Sequence, residues 1–545
     1  PLCHPSGGRE STPRCRAGGL GPDGGFLPSG STFVLEGRPS ALVASRPAFN
    51  ALFESYGFAS GTVPYQTFFG VNQDGSLFTT GNRSPGSVAN FRGERDPVLF
   101  NDRLYTYNFA PWNYLQLPLE RVSAFAAGRF ELDAGHELYA RALYADYSAD
   151  QALAPPPSNQ IFVPASNPYI SDDLRLLLDS RTNPAADLRI SKRFSELGAR
   201  VASNQYDVYQ LTAGVSGPLS DRWTYDAYVQ YGDNDQAESQ DGNALRSRIN
   251  ELNYAPDGGQ SICGEFNIFL IGRISPECAQ YIAASGTNRS GYEQTVIEAS
   301  ASGPAMALPA GDLRLAVGVM HKRDEFFYHA DPIASVILDD GQPDIVGFNA
   351  SDDIDGSDYN TDLYLEALVP LLADLRGAER LELVVGYRYS DYDSAGGADA
   401  WKAELLYQPV TPLRLRASLQ RAVRAPSVFE LYSPRLPTGY PARAEFGGIT
   451  DPCEASSAQR SGPDAAQVEA LCAAQGVPAE LLPDFEDQDF EHLGVAGGNP
   501  ELDPETGDTL TVGFVWTSPS SHPLWTGMQV AVDWYRIEVE DAIEQ

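Results

Sequence analysis

No window of the 545-residue chain approaches the roughly 18 consecutive apolar residues of a membrane-spanning helix, so these residues hold no helix of that kind. Basic residues are scarce: 38 Lys and Arg stand against 73 Asp and Glu, giving a formal charge of −35. A nucleic-acid partner is therefore not expected, because phosphate binding needs a basic face. The acid excess suits solvation of long loops, and it would also draw cations toward them by long-range steering.

Histidine is rare as well, with six in all, and none lies at ligand spacing from a cysteine except His4 beside Cys3. Without a Cys-x-x-Cys pair this speaks against a zinc site. No nucleophile elbow, phosphate-binding glycine loop or metal-ligand helix occurs, so no enzyme, catalytic residue or cofactor is expected. Carboxylate pairs such as Asp339–Asp340 arise by chance among so many acids. Residues 351–357 follow a calcium loop only in part: Asp353, Asp355 and Gly356 match, but Ser351 and Asp362 occupy the first and last ligand positions and the flanks read as strands. The chain opens on Pro1, Leu2, Cys3 and His4 without a signal-peptide pattern and ends within a strand pattern, so it is expected to be an internal piece of a longer product.

Aromatics, by contrast, are abundant, with 27 Tyr and 25 Phe, and glycine and proline are frequent. Many segments of about ten residues alternate apolar with polar positions between Gly-, Asp-, Asn- and Pro-rich connections. The clearest is 413–420, where Leu413, Leu415, Ala417 and Leu419 share one face and Arg414, Arg416, Ser418 and Gln420 the other. Similar strands are predicted over 97–110, 121–132, 137–147, 206–217, 222–232, 292–303, 313–328, 361–372, 380–393, 400–408, 509–516 and 528–539. Long polar insertions separate some of them, notably 151–205, 233–290, 329–360 and 433–505. In the first, Ser171 is placed to cap a short helix with Leu174, Leu177 and Leu178 on one face; in the last, 464–474 reads as a helix.

Connections thus alternate short and long. Tyr225, Tyr231, Tyr387, Trp401, Tyr407, Trp516 and Trp534 fall at the ends of apolar rows. Segregated loop lengths and aromatic ends are expected of a transmembrane antiparallel β-barrel, with brief turns on one side and long extracellular loops on the other. The fold class is all-β, with roughly 12–14 strands in these residues. Residues 1–95 read as loop and ragged first hairpins of the barrel, and 96–545 as the barrel itself. Six cysteines form three local pairs in polar sequence: Cys3 with Cys15, Cys263 with Cys278, Cys453 with Cys472. They suit loop-closing disulfides in an oxidising compartment, each stabilising by about 3 kcal/mol in the chain-entropy model.

Residues 421–432 resemble the Arg-Ala-Pro-x-x-x-Glu-Leu stretch of TonB-dependent outer-membrane receptors through Arg424, Ala425, Pro426, Glu430 and Leu431, with Arg421 ahead of them. Residues 498–506 resemble the family's Gly-Asn-Pro-x-Leu-x-Pro-Glu-Thr through Asn499, Pro500, Leu502, Pro504 and Glu505. Residues 532–537 resemble its Val-Asp-Tyr-Tyr-x-Ile, and 107–121 and 194–200 are similar to a subgroup with long, disulfide-bearing loops.

The resemblance implies a barrel of about 22 strands around a plug. It also implies that the plug, its TonB box and the last strands lie outside these residues. It implies a receptor and active importer in the outer membrane of a Gram-negative bacterium, surrounded by lipid and lipopolysaccharide and energised by TonB. The ligand would be a small molecule such as a siderophore, cobalamin, an oligosaccharide or a peptide; aromatics at 56–65 are available to stack on sugars or planar chelates. A passive porin-like barrel without energy coupling is the alternative.

Physics gives the motif residues mainly structural work. Pro426 ends strand pairing. Arg421 and Arg424, three apart, face opposite ways, leaving one to pair with carboxylates in the lumen. Pro500 and Pro504 hold the preceding residues extended. The barrel reading predicts that the protein is extracted only by detergent and migrates faster on a gel unheated than boiled; a soluble β-protein would show neither.

Overall fold

The computed structural model describes residues 31–34, 44–63, 68–80, 86–93, 105, 107, 109, 111–270, 272–441, 451–455, 457–477, 482 and 491–543. In chain order its strands are β1 (Ser31–Val34), β2 (Phe68–Val71), β3 (Leu77–Thr79), β4 (Leu119–Glu131), β5 (Glu137–Leu153), β6 (Pro157–Val163), β7 (Leu188–Arg193), β8 (Arg200–Pro218), β9 (Thr224–Leu245) and β10 (Ala283–Leu308). They continue as β11 (Gly311–His329), β12 (Ile345–Val346), β13 (Ile354–Leu375), β14 (Ala378–Tyr392), β15 (Gly396–Val410), β16 (Leu413–Arg424), β17 (Leu436–Pro441), β18 (Glu491–Ala496), β19 (Glu505–Thr517) and β20 (Gln529–Glu540). The helices are α1 (Arg46–Ser55), α2 (Asp172–Asp179), α3 (Arg246–Tyr254), α4 (Gln260–Cys263), α5 (Pro276–Ile282), α6 (Val428–Tyr432) and α7 (Ala465–Ala474).

One 13-stranded antiparallel sheet forms the wall, in the order β4-β5-β8-β9-β10-β11-β13-β14-β15-β16-β19-β20, with β12 attached to β9. Each strand pairs with its neighbour in sequence through a brief turn or a long excursion, as the alternating connections predict. The five residues between β4 and β5 turn on Asp133–Gly135, with Ala134 and Gly135 both at positive φ (63° and 82°) to reverse the chain in so little length.

The cross-strand register also fixes the faces. Leu415 on β16 lies level with Tyr407 on β15 and Phe514 on β19, and Phe514 with Val532 on β20. The seven aromatics at the ends of apolar rows all share this outward face. On the inward face, Glu298 of β10 accepts hydrogen bonds from the hydroxyls of Tyr228 and Tyr364, both at 2.6 Å. This apolar-out, polar-in pattern is that of a membrane barrel wall.

The strands outrun the sequence expectation at the long-loop end. β9 continues to Leu245 and β10 starts at Ala283, inside the stretch read as the loop 233–290; β13 starts at Ile354, inside the loop 329–360. At 22 residues β9 reaches on the order of 70 Å, about twice what a bilayer crossing needs. Above the lipid both faces meet water, so the hydropathy period fades while the hydrogen-bond ladder persists. The strand expected over 97–110 is not formed where it can be followed: Tyr105 makes an isolated bridge position, Tyr107 and Phe109 are irregular, and the rest lies outside the described residues.

The N-terminal pieces read as ragged hairpins of the barrel join a separate sheet instead. β1, β2 and β3 pair with the insertion strands β7 and β6 in the order β3-β2-β1-β7-β6. Helices close over this sheet. Ser45 caps α1 and Ser171 caps α2, each hydroxyl accepting the N–H three residues on. Phe49, Leu52 and Phe53 of α1, and Leu174, Leu177 and Leu178 of α2 as predicted, are buried in one core. Ile249 and Leu252 of α3 and Ile282 of α5 complete it, so segments read as three separate loops form one cap. Tyr56, a candidate stacking residue, packs on Phe53 and donates to Asp173 at 2.6 Å, so it serves the cap; Tyr65 lies outside the described residues.

Two disulfides tie the excursions. Cys263 joins Cys278 between α4 and α5, and Cys453 joins Cys472 on α7, with Cα separations of 4.9 and 5.7 Å. Cys3 and Cys15 lie outside the described residues. Because cap and wall bury separate surfaces, Phe49→Ala is expected to cost the cap about 3–5 kcal/mol. It should lower the temperature at which the cap becomes open to limited proteolysis while leaving the heat-dependent gel shift of the wall intact.

Candidate functional site

Strand β16 carries three arginines that each meet an acid across the ladder. Arg416 forks onto Asp533 at 2.7 and 2.5 Å, reaching over Gly513 of the intervening strand. A Cβ on Gly513 would stand 1.9 Å from the Asp533 carboxylate, so only glycine leaves room for this pair. Arg421 forks onto Asp508 at 2.8 and 2.6 Å. This pair continues the outward apolar row above Leu419, so its carboxylate lies on the outward face.

Arg424 faces inward and is shared. Its Nε donates to Glu505 at 2.5 Å, and its two terminal nitrogens donate to Glu430 at 2.9 and 3.0 Å. Strand pairing stops here, and the buried Pro426 follows. The chain then turns into α6 rather than running on as loop. Ser427 and Glu430 form a reciprocal capping box, the Ser427 N–H donating to the Glu430 carboxylate at 2.7 Å and the Glu430 N–H to the Ser427 hydroxyl at 3.3 Å. The Ser-x-x-Glu spacing at 427–430 was the available signal, obscured by a motif that reads as a strand exit.

Helix α6 folds back over the inner face of the wall: a Cβ on Gly356 of β13 would collide with Val428 and Tyr432. The second motif locks onto it. The Gly498 N–H donates to the Ser433 carbonyl at 2.8 Å and the Asn499 N–H to the Glu430 carbonyl at 2.9 Å. A Cβ on Gly498 would lie 2.6 Å from Ser433 N, so this approach requires glycine. Pro500 and Pro504 lie in the turn leading to β19, and Asn499 accepts the Glu501 N–H at 3.0 Å. Glu505 also accepts the Ile543 N–H at 2.6 Å. The motif residues Arg424, Glu430, Asn499 and Glu505 thus form one hydrogen-bonded latch, while Leu431 is buried beneath it and Ala425 makes no polar side-chain contact. Beside the latch opens a pocket of about 900 Å³ lined by α6, the ends of β17 and β18, Tyr328, Asp352 and Leu502.

A family model described as "TonB dependent receptor-like, beta-barrel" matches residues 146–545. The chain belongs to that family. Among solved structures, this receptor barrel is similar to a mutant ferric enterobactin receptor from Pseudomonas aeruginosa, at 14% identity over 79% of this chain and 52% of that one, TM-score 0.38. It is also similar to a ferric-catecholate import receptor from E. coli K12, at 11% identity over 79% and 53%, TM-score 0.37. A third similarity is to the RagAB peptide transporter, at 10% identity over 76% and 40%, TM-score 0.37. The receptor barrel described here spans about half the length of the first of these. No curated protein sequence matches the chain.

The subgroup motif of the receptor barrel is structural too. Phe194 is fully buried, Lys192 lies buried 3.3 Å from Glu196, and Arg200 holds the carbonyls of Ala154 and Gly347. At the partial calcium pattern, Asp355 and Gly356 lie inside β13 and Asp353 accepts the Ala330 N–H, so a strand stands where an ion-binding loop would be needed.

The guanidinium of Arg424 holds the Glu430 carboxyl below the usual glutamate range. A carboxylate depressed in the folded state stabilises above its ordinary value, about 4.3, and loses that contribution as pH falls through the lowered one. The latch should therefore stay closed at neutral pH and loosen only in acid. Arg424→Ala is expected to open it at pH 7, making residues 433–504 readily cleaved in limited proteolysis. The global melting point should move little, since partly exposed ion pairs contribute only about 0–1 kcal/mol.

Proposed function

We propose that the receptor barrel is the wall and roof of an active importer in a Gram-negative outer membrane. It binds a scarce small-molecule nutrient, of which siderophores, cobalamin and oligosaccharides are examples, on the extracellular side and passes it through a plugged lumen with energy from TonB. The observation that carries this reading is the pocket at the mouth. It lies on the inward side, is walled by the long-loop ends of β11 and β13 and by the latch, and at about 900 Å³ is near the upper end of ligand-binding cavities. The outward apolar face with its aromatic ends suits lipid, and the acidic upper strands would stand among lipopolysaccharide head groups. TonB would act on the plug, the partner of the inward polar face.

Cells expressing the full-length protein should accumulate the limiting nutrient, and a proton-motive-force uncoupler should abolish uptake while surface binding persists. Uptake that continues unchanged with the uncoupler would show the passive porin-like alternative instead.

A further inference from the structure

Among the described residues, one connection at the short-turn end of the wall is not short. We propose that it is a lipid anchor: the tip of the β19–β20 connection, Leu524 and Trp525, lies among the phospholipid head groups of the periplasmic leaflet. The proposal rests on the barrel wall and is independent of whether transport is energised.

The other connections at this end are 132–136, 219–223, 309–310, 376–377 and 411–412, of two to five residues. Each carries a charged residue or stands within two positions of one: Asp133, Asp221, Asp312, Arg376 and Arg414. The connection 518–528 has eleven residues, and from Thr509 to Val532 there is no Asp, Glu, Lys or Arg at all. It is nevertheless folded. The Ser518 N–H donates to the Met528 carbonyl at 2.8 Å and closes the base, while the His522 carbonyl accepts the N–H groups of Trp525 and Thr526, both at 2.9 Å. The Thr526 hydroxyl donates to the same carbonyl at 2.9 Å, and the Ser520 hydroxyl accepts the His522 N–H at 3.1 Å. The polar groups of the turn thus bond among themselves, and what it presents outward is apolar: Leu524 is 79% and Trp525 51% exposed.

The occupant follows from what the tip continues. The outward rows of β16, β19 and β20 run through Leu415, Phe514 and Val532 to a last rank in which Leu413, Trp516 and Val530 stand level. Thr517 and Gln529 come next, and the Thr517 N–H donates to the Pro412 carbonyl at 2.8 Å, so the base of the connection is level with the neighbouring turn. No charged rank separates the last lipid-facing side chains from the tip, so the apolar belt runs on into the connection instead of ending at its base. Tryptophan favours this boundary, where the ring sits at head-group level and its N–H stays hydrated. An exposed apolar tip in water would mark a protein-docking site. Here no charge is present to steer or orient a partner, and continuity with the lipid-facing row makes the leaflet the fitting occupant.

The test uses the full-length receptor in phosphatidylcholine vesicles, with and without bromination near the head-group end of the acyl chains, since bromine quenches tryptophan emission on contact. The emission lost on Trp525→Phe, wild type minus variant, isolates that ring. It should lie to the blue of water-exposed tryptophan, lose most of its intensity in brominated vesicles and resist iodide added to the water. Leu524→Trp in the Trp525→Phe background should restore a signal quenched in the same way. A difference signal quenched more by iodide than by bromine would overturn the proposal and leave the tip to a water-borne partner. Quenching of the total emission, to which the outward Trp401, Trp516 and Trp534 contribute, reports on the wall itself. A failed anchor on a sound barrel therefore shows bromine quenching of the total without quenching of the difference, whereas absence of both would overturn the barrel reading as well.

Discussion

In hydrocarbon a backbone N–H or C=O has no water to turn to, and leaving one unpaired costs several kcal/mol. The wall is the consequence: each strand of the path from β5 through β8, β9, β10, β11, β13, β14, β15 and β16 to β19 pairs on both sides with an antiparallel neighbour, so the ladder is continuous across the sheet. Once the backbone bonds are consumed by the ladder, side chains are free to divide by face. Leu415, Phe514 and Val532 make the outward surface, and Glu298 with its tyrosines the inward one. The inward face is dense enough that glycine is needed where side chains cross a strand. Tyr364 reaches Glu298 over Gly318 just as Arg416 reaches Asp533 over Gly513.

The mouth is organised on a different interaction. Where Pro426 stops the ladder, backbone groups lose their partners, and the Arg424 fork takes over by drawing together Glu430 on α6 and Glu505 at the start of β19. Each exposed ion pair alone contributes little. Here the carboxylates also cap a helix and receive the N–H groups of Ser427 and Ile543, so charge and backbone satisfaction are coupled. The long excursion between β16 and β19, tied internally by Cys453–Cys472, returns to the wall through this contact, and Glu430 also lines the pocket beside it.

What could be read from the chain alone followed from local periodicity. The period of two in 413–420 gives β16 its faces, the Ser171 cap with Leu174, Leu177 and Leu178 gives α2, and the short turns give the strand order, because hairpins pair sequential neighbours. The disulfides Cys263–Cys278 and Cys453–Cys472 were legible for the same reason, since their partners are near in sequence. Even the opposite facing of Arg421 and Arg424 is only the pleat of a strand.

Tertiary structure decided everything that depends on residues far apart meeting. It chose Asp508 and Glu505 as the arginines' partners, brought Gly498 and Asn499 onto α6, and gathered 44–80, 151–198 and 245–283 into one cap core. It also carried β9 and β13 past the membrane, where hydropathy no longer alternates because both faces are wet. The physical reason is the same throughout. Alternation records which face a residue presents, a property of its own strand, whereas a latch, a cap or a pocket is made by the register between strands, which the side-chain pattern of one strand does not contain.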